Sequence, residues 1–379
     1  MKRVLFNVVL LLSANLVFAQ SNIYDSIPFG GRWRTFMTHL PQGYSNQKKY
    51  PLVLAFHGGS PLGYQSIQYQ SRLSDKADSS GFIVVYPEGV KIAGNRTWNA
   101  GGCCAPATTL NIDDVGFVSS LLNNLFRTRS IDTTKVYATG FSNGALLSYK
   151  LANQLTKRFA AIAIVEGDFV SYPWQPSRAI PIISFHSYLD QNVKYYGGVT
   201  IGNTGTYFPP QDSMFNIISS NYECSVRKQT LFHDSNKYDH FKYSSCACSA
   251  VIEQFVSYDG EHSWPGGLSL SGVAVSNQFS ATYLMWEFFK QYTTSCSVTD
   301  IKEGTTHSKL KVYTSKAHLR IFLPDDIYSI SIYNQIGIKI MSFVNNSNQV
   351  EISDSKLSNG VYYVKASNEN ETLTTKFLK

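Results

Sequence analysis

The sequence predicts an α/β fold followed by a small all-β sandwich, on three observations. A short apolar run, Val136-Tyr137-Ala138-Thr139, leads into Gly140-Phe141-Ser142-Asn143-Gly144. A stretch from about 143 to 156 then has Leu146, Leu147, Tyr149, Leu151 and Leu155 at helical spacing. On either side, apolar runs of strand length alternate with helical stretches, which argues for a parallel or mixed sheet covered on both faces. After Cys296 the pattern changes to short alternating runs separated by turn residues.

The chain has 379 residues, enough for one large domain and one small one, and 43% of them are hydrophobic. Charged residues make up only 16%. The net charge of +7 is not gathered into a Lys/Arg run, so nucleic acid is not an expected partner. Lys2 and Arg3 precede an apolar stretch, Val4 to Phe18, and Val17-Phe18-Ala19 has the small-residue pattern of a cleavage site. This reads as a secretory signal peptide over 1–19, with no transmembrane segment in the mature chain. Export makes the six cysteines candidates for oxidation. The expected divisions are a catalytic domain over 20–296, a linker over 297–308 and a sandwich over 309–379.

In chain order, Arg34–Pro41 reads as an edge strand entering a Pro41-Gln42-Gly43-Tyr44 turn. Pro51–Phe56 is a continuous apolar run of buried-strand type. It ends in His57-Gly58-Gly59-Ser60, a loop type that supplies backbone N–H groups to an oxyanion. An amphipathic stretch follows over 71–79, then a second buried strand, Phe82–Tyr86. Trp98-Asn99-Ala100-Gly101-Gly102-Cys103-Cys104 is a loop rich in aromatic, amide and Gly residues. Asp113 and Asp114 open a helix over 115–125, and capping accounts for both.

Strand, G-x-S-x-G and helix in that order form the nucleophile elbow of an α/β-hydrolase. The turn is so sharp that only Gly fits two residues before and two after the Ser. A Ser hydroxyl needs an adjacent base, and the base needs an orienting carboxylate, in the chain order Ser, acid, His. Asp190 lies in the loop after the strand 180–186, and His262 in the loop after the strand 251–256. Asp168 and Asp212 are rivals without such a strand. His233 and His240 read as surface groups. A helix over 281–292 closes the domain. Among the cysteines, Cys224 with Cys246 or Cys248 is the preferred bridge, because they flank a polar excursion. Cys103 and Cys104 could bond to each other or elsewhere. No metal site is expected: Cys246-Ala247-Cys248 lacks a second pair at ligand spacing, and His57 lacks partners.

Residues of about 25–293 resemble the secreted esterases grouped as polyhydroxybutyrate depolymerase-like, which include feruloyl and acetylxylan esterases. The resemblance rests on His57-Gly58-Gly59, the Trp98–Cys104 loop with Asp113–Phe117, the elbow, Asp190, and His262-Ser263-Trp264-Pro265-Gly266. It implies the α/β-hydrolase fold and ester hydrolysis without a cofactor. Ser142 would be nucleophile, His262 base and acid, and Asp190 the orienting carboxylate. The N–H of Asn143 and one near Gly58 would form the oxyanion hole, and Trp98 and Trp264 are candidate substrate contacts. Glu261 departs from the Gly that relatives often carry before the His.

The C-terminal runs 319–322, 327–333, 338–343, 360–366 and 372–378 suggest a β-sandwich. It resembles the sorting domain of the type IX secretion system, on Ser331–Gly337, Leu357–Val364 and Thr375–Lys379. The secretion machinery is then an expected partner, and the enzyme is expected outside the cell or attached to its surface. A carbohydrate-binding module is the rival, and would show aromatics on one exposed face. The expected function is a serine esterase on feruloyl or acetyl esters of plant cell-wall polysaccharides. A polyester depolymerase is the alternative, and an inactive binding protein of the same fold is the rival from another class.

Overall fold

The computed structural model describes residues 21–295, except 171–172, 200–204 and 271. It also describes 310–378, except 316–317, 324–327, 335–338, 346, 348, 354–356, 359–360 and 369–371. The expected signal peptide and linker lie outside these residues. Contacts divide the chain into two units, meeting between Thr299 and Asp300.

The first unit begins with an antiparallel pair, β1 (Ser21–Phe29) and β2 (Arg32–Leu40), then β3 (Tyr50–Phe56). Two short helices follow, α1 (Tyr64–Ser71), which the sequence did not suggest, and α2 (Leu73–Ser80), which takes up the amphipathic stretch expected over 71–79. Arg72, in the left-handed region at φ 53°, separates them. Next come β4 (Ile83–Pro87), a small ribbon of β5 (Val90–Ile92) and β6 (Asn95–Thr97), α3 (Asp114–Thr128) and β7 (Ile131–Phe141). Then follow α4 (Asn143–Gln154), β8 (Ala161–Val165), β9 (Ile182–Ser187), a second ribbon of β10 (Gly198–Val199) and β11 (Tyr207–Phe208), and α5 (Gln211–Asn221). A hairpin of β12 (Val226–His233) and β13 (Tyr238–Ser244), then β14 (Ile252–Ser257) and α6 (Ala281–Phe289), complete the unit.

Ten of these strands form one sheet in the order β1-β2-β4-β3-β7-β8-β9-β14-β13-β12. The six from β4 to β14 run parallel, with antiparallel strands at both edges. This is the α/β-hydrolase fold with an added hairpin at one edge. The central strands are apolar on both faces because helices cover both: β4 and β8 are buried at every position. One face packs with α3 and α4 in a cluster that includes Phe56, Phe117, Leu121, Leu146 and Leu151. The other packs with α6, where Phe82 stacks on Trp286 and Tyr137 on Phe289. The strand order reverses between β3 and β7, so their C-terminal ends leave a crevice between diverging connections.

Within the second unit, β15 (Lys311–Ser315), β16 (His318–Phe322) and β19 (Gln349–Ser353) form one antiparallel sheet. The other contains β17 (Tyr328–Asn334), β18 (Lys339–Asn345), β20 (Val361–Ser367) and β21 (Thr372–Leu378). Period-two burial builds its core: Tyr328, Ile330 and Ile332 alternate inward on β17, and Tyr362, Val364 and Ala366 on β20. Tyr362 is buried against Phe377 while Tyr363 is exposed, so the adjacent tyrosines face opposite ways and make no aromatic platform.

Candidate active site

The crevice at the end of β3 and β7 is a cavity of about 440 Å³. Ser142 sits in it at φ 54°, ψ −122°, a conformation sparsely populated for a residue with a Cβ. Its backbone is held on both sides. The Ser142 N–H donates to the Val165 carbonyl at 3.0 Å, and the Ser142 carbonyl accepts from Ala145 and Leu146 at 2.8 and 3.0 Å. The flanking glycines are sterically required. A Cβ at Gly140 would lie 2.2 Å from the Gly144 carbonyl carbon, and one at Gly144 would lie 2.0 Å from the Phe56 oxygen. β3, β7 and α4 therefore close on the elbow from three directions.

His262 lines the same cavity, its ring 4.8 Å from that of Phe141. Its Nδ1 lies 2.7 Å from Asp190 Oδ2. Asp190 is 1% exposed, in the turn after β9, and its Oδ1 accepts from the Asn192 and Val193 N–H groups at 2.6 and 2.9 Å. Burial alone would raise this carboxyl. The charge and hydrogen bond of His262, with His186 and Glu166 behind, outweigh burial and hold it well below the usual carboxylate range. The rivals do not reach His262. Asp168 is buried, with Oδ1 accepting from the Phe169 N–H, and burial pushes it well above its usual range. Asp212 bonds Lys228 and Tyr195.

Gly58 and Asn143 both line the cavity. A Cβ on Gly58 would lie 3.2 Å from Ser142 Cβ, so the loop after β3 runs directly against Ser142. Asn143 is the first residue of α4, where backbone N–H groups lack partners within the helix. Its side chain is turned away: Oδ1 accepts from the Trp98 N–H at 2.7 Å, and Nδ2 donates to the Trp98 carbonyl. His57 braces the loop from below, with Nδ1 donating to the Gly58 carbonyl at 2.6 Å and Nε2 accepting from the Gly89 N–H at 2.9 Å. The second bond requires a free Nε2 lone pair and so the neutral ring, whose pKa burial lowers to about 4. The 3.4 Å approach of Glu88 is then not an ion pair.

Three expectations need correction. Trp98 and Trp264 are fully buried and do not line the cavity. The Trp98 indole N–H donates to the His57 carbonyl and that of Trp264 to Thr282, so they are packing residues, not substrate contacts. Asp114 is more than a cap. Asp113 caps α3 through Gly116, but Asp114 is buried, paired with Arg34 at 2.7 Å and accepting from the Asn99 N–H at 2.7 Å. It ties the Trp98–Cys104 loop to β2. The stretch before β14, expected to hold no strand, is the β12–β13 hairpin; His233 there is exposed, as a surface group should be, and meets Asp239, while His240 is half-buried against Glu253.

Sequence reasoning missed Glu166 and His186. Glu166 follows β8 at φ 49°, is completely buried, and its Oε2 accepts from the Ser187 N–H. His186 on β9 donates from Nε2 to the Val193 carbonyl at 2.7 Å. With Asp190 they place three ligand-type atoms within 4.8 Å of one another, among the described residues the one such group. Asp190 is already engaged by two N–H groups and His262, which leaves this a proton-sharing cluster more than a metal cradle. Burial, then the neighbouring Asp190, push the Glu166 carboxyl well above its usual range. The signal for these residues was weak: single polar residues at strand ends. Two disulfides join Cys103 to Cys104 and Cys224 to Cys246, and Cys248 is also disulfide-bonded. Glu261 is exposed, its N–H bonded to the Ala274 carbonyl.

Residues 35–184 match the family described as esterase PHB depolymerase, and residues 313–379 match the secretion system C-terminal sorting domain. Feruloyl esterase B of Piromyces equi is 29% identical over 178 residues, 44% of this chain and 31% of that protein. The bifunctional acetylxylan esterase/xylanase of Neocallimastix patriciarum is 32% identical over 146 residues, 38% of this chain and 20% of that protein. The chain thus spans a third or less of these two relatives. Feruloyl esterase C of Emericella nidulans is 28% identical over 261 residues, 68% of this chain and 83% of that protein. On these matches, residues 35–184 are similar to the esterases described as PHB depolymerase and residues 313–379 to the secretion-system sorting domains.

Proposed function

We propose that the chain is a secreted serine carboxylic-ester hydrolase acting on feruloyl or acetyl esters of plant cell-wall polysaccharides. Ser142 is the nucleophile, His262 the general base and acid, and Asp190 the orienting carboxylate. The observation that carries this reading is the 2.7 Å contact of His262 Nδ1 with Asp190 at the cavity that also holds Ser142. With Nδ1–H given to Asp190, Nε2 is left to take the Ser142 proton. The Ser142 oxygen adds to the ester carbonyl, and the oxyanion meets the N–H of Asn143 and one near Gly58. Collapse expels the alcohol, which takes its proton from His262. Water then releases the acid by the same steps in reverse, and the reaction needs no cofactor.

The names of the relatives support the cell-wall esters, and the PHB depolymerase description supports a polyester as the alternative. The sorting domain supports export by type IX machinery, to the medium or the cell surface. The test is a fluorophosphonate probe together with a screen of feruloyl, acetyl, short p-nitrophenyl and hydroxybutyrate esters. Labelling at Ser142 with feruloyl or acetyl esters fastest is the expected outcome. Fastest turnover of hydroxybutyrate would select the polyester. No labelling and no hydrolysis would leave a binding protein of the same fold.

A further inference from the structure

Cys103 and Cys104 are bonded to each other, and both line the cavity that holds Ser142 and His262. Their loop is fixed at several points. Asn99 is held by the buried Asp114, the Thr108 hydroxyl donates to the Cys103 carbonyl at 2.6 Å, and Thr206 donates to the Gly102 carbonyl at 3.1 Å. That last bond ties the loop to the ribbon carrying Phe208. Cys103 belongs to one packed apolar cluster with Leu146, Val193 and Phe208, and Cys104 packs against it. All five open onto the cavity. Leu146 lies one helical turn beyond Ser142, so this wall starts at the nucleophile. A second set of lining residues is polar: Ser60, Ser66, Gln70, Asn95 and Thr97. Ser60 and Arg96 exchange backbone hydrogen bonds at 3.1 Å, which holds Asn95 and Thr97 beside Ser60.

We propose that the Cys103–Cys104 disulfide, with Leu146, Val193 and Phe208, is the surface on which the acyl group of the ester lies, and that it selects aromatic over short acyl groups. The polar set then faces the hydroxyls of the sugar alcohol. This rests on the reading of Ser142 as an ester-hydrolysing nucleophile. The group joined to Ser142 in the acyl-enzyme is the acyl group, and the wall beginning at Leu146 is the surface within its reach. Sulfur is polarizable and makes favourable contacts with aromatic rings. Bonding the two sulfurs removes their independent rotation, so the surface is rigid before substrate arrives. An acetyl group is too small to cover it, whereas an aromatic acyl group buries apolar area along it.

The test compares methyl ferulate, methyl cinnamate and methyl propionate, which differ only in the acyl group, with kcat/KM expressed per fluorophosphonate-reactive site. In the full chain carrying Cys103→Ser and Cys104→Ser together, the ratio of aromatic to propionyl kcat/KM should fall about tenfold, mainly through KM. Phe208→Ala leaves the disulfide in place and should shift the ratio in the same direction, which keeps the test open if the double variant does not fold. A ratio unchanged in both variants overturns the proposal. So does an effect that follows the alcohol, read with ethyl, phenyl and xylosyl esters of one acid. If the parent protein neither labels nor hydrolyses any ester, the hydrolase reading itself fails. Normal parental turnover with an unchanged ratio removes only the acyl surface.

Discussion

Glu166 decides how Asp190 is held. Its carboxyl lies within 4.8 Å of Asp190 and is fully buried. Two ionised carboxylates at that separation, away from water, would repel strongly, so one proton stays, and burial with the Asp190 charge places it on Glu166. Glu166→Gln keeps the size, the neutrality and a donor. Glu166→Ala keeps only the neutrality. A hydrogen bond to a charged group contributes about 1.5–3 kcal/mol, so Glu166→Ala should lower kcat about 10–150-fold with little change in KM. Glu166→Gln should stay within about threefold. Stability separates the two protonation states. Because the folded pKa of Glu166 is raised, the folded chain keeps a proton that the unfolded chain loses above about pH 4.3. That contribution is complete below the unfolded value and is lost as pH rises through the window up to the folded one, at about 1.4 kcal/mol per unit. Gln has no such proton to lose. Urea unfolding near pH 5 and near pH 7 should therefore show Glu166→Gln gaining on the parent at the higher pH. A Gln variant as slow as the Ala variant, or one that loses ground as pH rises, would refute a protonated Glu166.

Three further outcomes follow from the same geometry. Asp190→Asn should cost on the order of 10⁴-fold in kcat by favouring the wrong tautomer of His262, while Asp168→Asn should leave ester turnover near normal; the reverse pattern would move the acid to Asp168. His57 stays neutral in the folded chain down to about pH 4, whereas the unfolded ring charges below about 6.5. Stability should fall as pH drops through that interval, by up to about 3 kcal/mol, partly offset by Glu88, whose pKa burial raises to about 6; thermal melts of His57→Gln should show a flatter acid limb. Because Ser142, Asp190 and His262 all precede Thr299, removing 300–379 should preserve turnover of small soluble esters while abolishing export in the native host; normal secretion of the shortened chain would count against the sorting role.

Local signals in the sequence carried most of the fold. The runs 51–56 and 82–86 are apolar on both faces, and such runs are buried strands wherever they fall in the order. The elbow was legible because Gly140 and Gly144 answer a steric demand made within five residues. Asp190 and His262 were legible through chain order and strand ends, even though 72 residues separate them. What escaped depends on contacts that no window holds. β12 was missed because as an edge strand it is exposed at nearly every position, with no buried alternation to betray it. β1 was missed because its side chains alternate only weakly between half-buried and exposed.

The tryptophans show why residue type misleads at a site. Trp98 and Trp264 flank catalytic loops in the sequence, and a large aromatic near a catalytic loop suggests a substrate platform. A strained elbow and a close-packed Gly58 instead need rigid bodies behind them, and an indole with a buried N–H partner on the backbone supplies one. Trp98 bonds the His57 carbonyl through its ring and Asn143 through its backbone, so a single residue holds both the loop after β3 and the start of α4, the two segments proposed to supply the oxyanion N–H groups. The cavity surface is left to other groups: the paired sulfurs of Cys103 and Cys104, Leu146, Phe141 and Phe208, and the hydroxyls and amides of Ser60, Asn95 and Gln70. The two indoles brace this site from behind its backbone, and the cavity face is left to the disulfide, other apolar side chains and short polar groups.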